Sequence, residues 1–173
     1  MDNETNLILK KRALNLAIET VKQREISTII DIIEFTIGGE MYGIESAYVS
    51  EVYPLKAFTP LPGVPNFILG IVNVRGQIFP VVDLKKFFNL PPMGLGELNK
   101  VIIIHNQNME FGILADEIIG TNTIHLEDIV PVPLSVKGIG EKFLRGVTKN
   151  QIILLSAENI LMDKNMIVNN ETF

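Results

Sequence analysis

The sequence predicts a mostly β protein with minor helices: two small five-stranded barrels side by side, preceded by a helix. Three observations lead there. From Ile29 onward, short runs rich in Val, Ile, Phe and Tyr alternate with Gly, Pro and Asn, the punctuation of strands and turns. The chain also contains itself twice. Glu40-Met41-Tyr42-Gly43-Ile44 resembles Met109-Glu110-Phe111-Gly112-Ile113, with Tyr42 aligned to Phe111. Leu69-Gly70-Ile71-Val72 resembles Arg145-Gly146-Val147-Thr148, and Gln77–Val82 with Asp83 resembles Asn150–Leu155 with Ser156, small gaps absorbing the drift. Finally, five strands per half are too few for a full sandwich but enough for a small closed barrel that hides its edges.

The elements follow in order. Residues 6–23 read as a helix: Leu7, Leu14, Ile18 and Val21, with Ala17, make one apolar stripe, while Lys10, Arg12, Asn15 and Lys22 fall elsewhere. Thr5 or Asn6 is placed to cap it. An amphipathic stripe usually buries within its own chain, so the helix is expected to cover the barrels, with a docking helix as the other reading. Strands are expected at Ile32–Ile37, Met41–Ile44, Val49–Tyr53, Phe67–Val74, Gln77–Val82, Lys100–His105, Met109–Leu114, Ile118–Ile124, Phe143–Thr148 and Gln151–Leu155. Gly38-Gly39 makes the first hairpin tight, because two glycines admit the positive φ values such turns need. Arg75-Gly76 and Asn150 mark further turns. Pro80 lacks a ladder donor, which places its strand at an edge or in a bulge. Short helices are expected at Leu84–Phe88, with Asp83 as N-cap, and at Ala157–Asp163. The expected organisation is a helical extension over 1–29, a domain over 30–163 with an inner linker near 90–99, and a tail over 164–173.

The composition narrows function. With 47% hydrophobic and 20% charged residues in 173, the chain can bury a core. Its 15 basic and 20 acidic residues give −5, which argues against a nucleic-acid surface. Zero cysteine excludes thiol nucleophiles, disulfides and thiolate metal sites, and two histidines argue against a multi-His metal centre. His105 and His125 read as ordinary strand-end residues. Asp116-Glu117 reads as a solvated strand end, since adjacent strand residues point to opposite faces. Ser156 has no histidine nearby in sequence, and there is no phosphate-binding glycine loop, Gly94-Leu95-Gly96 being too weak to count. No cofactor is expected. No apolar run reaches membrane-spanning length, and Leu7-Ile8-Leu9 is cut off by Lys10-Lys11-Arg12 before it could serve as a signal peptide, so a cytoplasmic location is expected.

The most distinctive block runs from Leu61-Pro62-Gly63-Val64-Pro65 through Gly70-Ile71-Val72-Asn73-Val74-Arg75-Gly76 to Pro80-Val81-Val82-Asp83-Leu84. Arg75 falls at an exposed hairpin tip, where no core needs a guanidinium. Together with Gly39–Ile44, Val49-Ser50-Glu51-Val52, Phe111–Asp116 and Phe143–Val147, this pattern resembles the CheW family of chemotaxis coupling proteins over about residues 30 to 163.

The resemblance implies two intertwined SH3-like barrels and a non-catalytic adaptor. It implies two partners, the cytoplasmic tip of methyl-accepting chemoreceptors and the regulatory domain of a CheA-type histidine kinase, with membrane contact only indirectly through receptors. The receptor tip is a helical hairpin, received by a groove between the barrels. By matching position, Val49 and Glu51 fall in the family's receptor-linked strand, and Gly70 and Arg75 in the strand and hairpin that support it. Arg75 then either bonds an acidic group or helix-end carbonyls of a partner, or clamps Glu51 internally. Ser156 stands where the family commonly has Asp or Asn, so a weaker cap is expected there. Rival readings are a kinase regulatory domain, opposed by the start at Met1 and the lack of a kinase core, a paralogue serving a non-chemotaxis kinase, and a small enzyme using the inter-barrel groove.

Overall fold

The computed structural model describes residues 2–26, 28–132 and 140–166. A long helix α1 (Asp2–Ile26) leads into eleven described strands: β1 (Ile29–Ile37), β2 (Glu40–Glu45), β3 (Val49–Pro54), β4 (Ile68–Val74), β5 (Gln77–Val82), β6 (Lys100–His105), β7 (Glu110–Ala115), β8 (Glu117–His125), β9 (Ile129–Val130), β10 (Leu144–Thr148) and β11 (Ile153–Leu155). Short helices α2 (Leu84–Phe87) and α3 (Ala157–Met162) follow β5 and β11. All ten expected strands are present. The two-residue β9, cut short by Pro131, is additional.

The strands form two sheets that draw on both sides of the 90–99 segment. Sheet A has the order β8-β1-β2-β11-β10-β9, and sheet B the order β3-β6-β7-β5-β4. Hairpin β1–β2 is therefore completed by the late hairpin β10–β11, and β6–β7 by the early hairpin β4–β5. Each exchange is a short parallel ladder: Leu154 opposite Gly43 in sheet A, and Val81 opposite Gly112 in sheet B. A Cβ at Gly112 would lie 2.3 Å from Val101 Cγ1, so only glycine lets the strands close there. Repeat-related positions thus do the same job in the two barrels.

Pro80 needs correction. Its strand β5 lies inside sheet B, between β7 and β4, and the ladder to β4 is regular at Pro80. The missing N–H is tolerated because pairing to β7 begins only at Val81. The bulge falls instead on β4, between Ile68 and Gly70.

Each sheet buries two faces. Val72, Val74, Phe79, Val81, Val101, Ile103 and Leu114 fill barrel B, and Ile32, Ile124, Ile152 and Leu154 fill barrel A. The opposite faces meet in a larger shared cluster that includes Phe35, Ile44, Ile102, Phe111, Ile113 and Phe143. Phe87 of α2 packs edge-on against both Phe67 and Phe143, at 5.0 and 5.2 Å between ring centres. The barrels share this apolar core, so their relative position is fixed by packing.

Both caps form. Asp83 accepts from Lys85 N at 3.0 Å, and Ser156 accepts from Asn159 N at 3.3 Å, the longer bond falling where the weaker cap was expected. The expected burial of the first helix is wrong. Leu7, Leu9 and Leu14 of α1 are 59, 56 and 63% exposed, so this helix does not cover the barrels.

Candidate docking site

Strands β3 and β4 are the two edges of sheet B, and closing the barrel brings them together. The closure is visible beyond the ladder: Thr59 N donates to Ile71 O, and Ile71 N donates back to Thr59 O, both at 2.9 Å. Gly70 makes this approach possible. Its φ is +147°, and a Cβ there would sit 2.3 Å from the Thr59 carbonyl oxygen.

From that seam β4 runs out to the turn at Arg75 and Gly76, with φ of +53° and +88°. Asn73 Oδ1 accepts from Gly76 N at 2.9 Å and holds the tip. Arg75 is 81% exposed, and its Nε lies 3.5 Å from Glu51 Oε1 on β3. A residue of one edge strand thus meets the hairpin tip of the other. Of the two readings of Arg75 left open by the sequence, the clamp on Glu51 is present. An exposed pair of that length contributes little to stability, about 0–1 kcal/mol, so a partner can replace it without unfolding anything.

The four expected site residues divide by role. Glu51 and Arg75 converge. Gly70 is buried and shapes the strand that delivers Arg75. Val49 is half-buried and packs against the shared core, on the far side of a β3 bulge. That bulge turns Ser50 outward, with Oγ 3.1 Å from Glu110 Oε1. Sequence reasoning missed Ile78, paired with Asn73 beside the tip and 63% exposed. The signal was available: in β5, Phe79 and Val81 point inward, so an apolar residue at 78 lies on the outward phase.

Asp116 is not a solvated strand end. Its Oδ1 accepts a short bond from Lys85 Nζ at 2.5 Å, and its Oδ2 accepts from Gly38 N at 2.6 Å. Lys85 is only 2% exposed. The pair ties α2 to the tip of hairpin β1–β2, so its work is structural. His105 and His125 end β6 and β8 in different sheets. Among the described residues no group of three acids or histidines is placed to hold a metal, and no helix is long and apolar enough to cross a membrane.

At this seam an exposed cation lies beside a carboxylate and an outward isoleucine. Two barrels with a shared apolar core define the class by fold: paired SH3-like barrels. The family model described as CheW-like domain matches residues 31–165. The chain is 30% identical over 142 residues to the chemotaxis protein CheW of Bacillus subtilis (strain 168), covering 81% of this chain and 91% of that one. It is 32% identical over 110 residues to the protein FrzA of Myxococcus xanthus, covering 64% and 69%. In structure it is similar to the scaffolding protein TtCheW from Thermoanaerobacter tengcongensis, with a TM-score of 0.69 and 31% identity over 80% of this chain and 90% of that one. The chain belongs to the CheW family, and its function is that of a chemotaxis coupling adaptor.

Proposed function

We propose that this protein joins methyl-accepting chemoreceptors to a CheA-type histidine kinase, and does so without catalysing a reaction. The observation that carries the reading is the meeting of Glu51 and Arg75, 24 residues apart in sequence, at the exposed seam of barrel B in a CheW-family chain. A receptor tip, as a helical hairpin, offers carboxylates and helix-end carbonyls to Arg75 and apolar side chains to Ile78. The kinase regulatory domain takes another face of the barrels, so the adaptor acts by holding two partners at high local concentration. The setting is the cytoplasm, at receptor arrays on the inner face of the membrane. The sequence has no cysteine, and its two histidines end strands of separate sheets.

The test is binding of a receptor tip fragment by Glu51→Lys and Arg75→Glu variants whose melting matches the parent. Each is expected to weaken binding about tenfold or more. Unchanged binding by both would remove this seam from the receptor site. A second reading is a paralogue serving a kinase outside chemotaxis, since the family includes differently named members such as FrzA. The kinase that co-purifies with the protein decides between the two.

A further inference from the structure

The turn that carries Arg75 adopts a backbone that a side chain does not favour. Arg75 has φ of +53° and Gly76 of +88°, so both turn residues of the β4–β5 hairpin are left-handed. Asn, Asp or Gly usually takes the first of these positions. An arginine there is strained, because its Cβ crowds the following carbonyl oxygen. The matching tip of barrel A spares its cation that strain: there Gln151, not Lys149, has a positive φ, of +62°. Strain placed on one cation of the two points to a task for that cation.

Asn73 opposes the strain. Gly76 lies beyond the last ladder pair of the hairpin, Val74 opposite Gln77, and its N–H donates to Asn73 Oδ1 at 2.9 Å. One such bond is of the same order as the cost of a left-handed arginine, so it decides how firmly the turn is held. Holding the turn holds Arg75 without using up its donors. At 3.5 Å the contact of Nε with Glu51 Oε1 is an ion pair longer than a hydrogen bond, and the side chain is 81% exposed. A guanidinium steered by one carboxylate but not bonded to it is ready to bond another.

We propose that Asn73 is a positioning residue for receptor coupling: its side-chain oxygen holds the Gly76 N–H, keeps Arg75 left-handed, and so presets the guanidinium for a carboxylate of the receptor tip. The inference rests on the coupling function proposed above. It names the residue that prepares the cation on which that function draws.

A double-mutant cycle of Asn73→Ala with Arg75→Ala, read as the affinity of the full chain for a recombinant receptor tip fragment, tests it. Alone, Asn73→Ala should weaken binding about fivefold, the loss of one preorganising hydrogen bond. In the Arg75→Ala background the same change should alter binding by less than about twofold. Asn73→Asp keeps an oxygen acceptor in place and should bind within about twofold of the parent. In the unbound chain, exchange of the Gly76 amide should quicken about fivefold in Asn73→Ala and not in Asn73→Asp. An equal loss in both backgrounds makes Asn73 a direct receptor contact and overturns the positioning role. Unchanged binding by Asn73→Ala overturns it and leaves the coupling function standing. Weakened binding that only tracks a lowered melting temperature, with Asn73→Asp restoring neither, makes Asn73 merely structural and overturns it as well. If the unmodified chain does not bind the fragment at all, the coupling function fails and the inference with it.

Discussion

The two barrels are built alike and furnished differently. Gly43 and Gly112 stand at the two parallel exchanges, Gly70 and Gly146 at the two bulged strands, and Asp83 and Ser156 at the two helix starts. Phe67 O and Phe143 O each accept the backbone N–H of the capping residue at 2.7 Å. The polar groups depart from this symmetry. Lys85 and Asp116, one from each repeat, form a largely buried pair at barrel B, while the aligned positions hold Glu158 and Ala47, both exposed. The hairpin tip of barrel B carries Arg75 facing Glu51, whereas the corresponding tip of barrel A carries Lys149 bonded to Asp128. What the halves share builds the fold, and what they do not share distinguishes their surfaces.

The largest effect is expected where the halves agree. Gly70→Ala would drive a Cβ against the Thr59 backbone, and Gly146→Ala would drive one to 2.5 Å from Val130 O. Each should cost about 2–5 kcal/mol of unfolding free energy in denaturant titrations. Gly39→Ala, where nothing lies within 4 Å, should cost about 1 kcal/mol for its turn conformation. Unequal costs at 70 and 146 would break the equivalence of the two seams.

Next comes the largely buried pair that only one barrel possesses. Lys85→Met leaves the Asp116 carboxylate with Gly38 N–H alone and should cost about 2–4 kcal/mol. Glu158→Met, at the aligned exposed position, should stay within about ±0.5 kcal/mol. Equal effects would show that the pair is not what separates the halves.

A smaller, pH-dependent effect is expected at Asp163, which caps the end of the second repeat where the first has Leu90. Burial pushes its carboxyl up, but hydrogen bonds from Lys142 and the Asn165 backbone, with the Lys142 charge, outweigh that and hold it below the ordinary value. A depressed carboxylate stabilises the fold above its unfolded pKa, near 4, and the contribution is lost as pH falls through the lower folded value. Melting curves below about pH 4 should therefore fall more steeply for the parent than for Asp163→Asn. Parallel curves would contradict the assignment.

The smallest stability effects belong to the two tips. Arg75→Glu and Lys149→Glu should each change stability by no more than about 0.5 kcal/mol, since both side chains are exposed. Only the first should impair receptor binding. If Arg75→Glu unfolds the protein, the arginine is structural and the seam is not a docking site.

The legibility of the sequence followed the same division. Strand positions were readable because alternation and turn residues are local: Gly38-Gly39, Arg75-Gly76 and both caps stand where the pattern put them. The repeat betrayed two similar barrels. The hairpin partners were not readable, because each exchange rests on a parallel ladder of only two residue pairs. Neither was Lys85–Asp116, whose members are 31 residues apart and each resemble a solvated charge. Pro80 misled because an inner strand can lack a neighbour along part of its length. For α1, the helix was legible in the sequence, but not whether the barrels cover it.

Coupling itself is tested most directly by titrating the protein against fixed amounts of kinase and receptor and following kinase activity. An adaptor that works by joining two partners should raise activity to an optimum near stoichiometric amounts and then lower it, as excess copies occupy kinase and receptor separately. Full stimulation at trace amounts, far below one copy per kinase, would contradict the adaptor account.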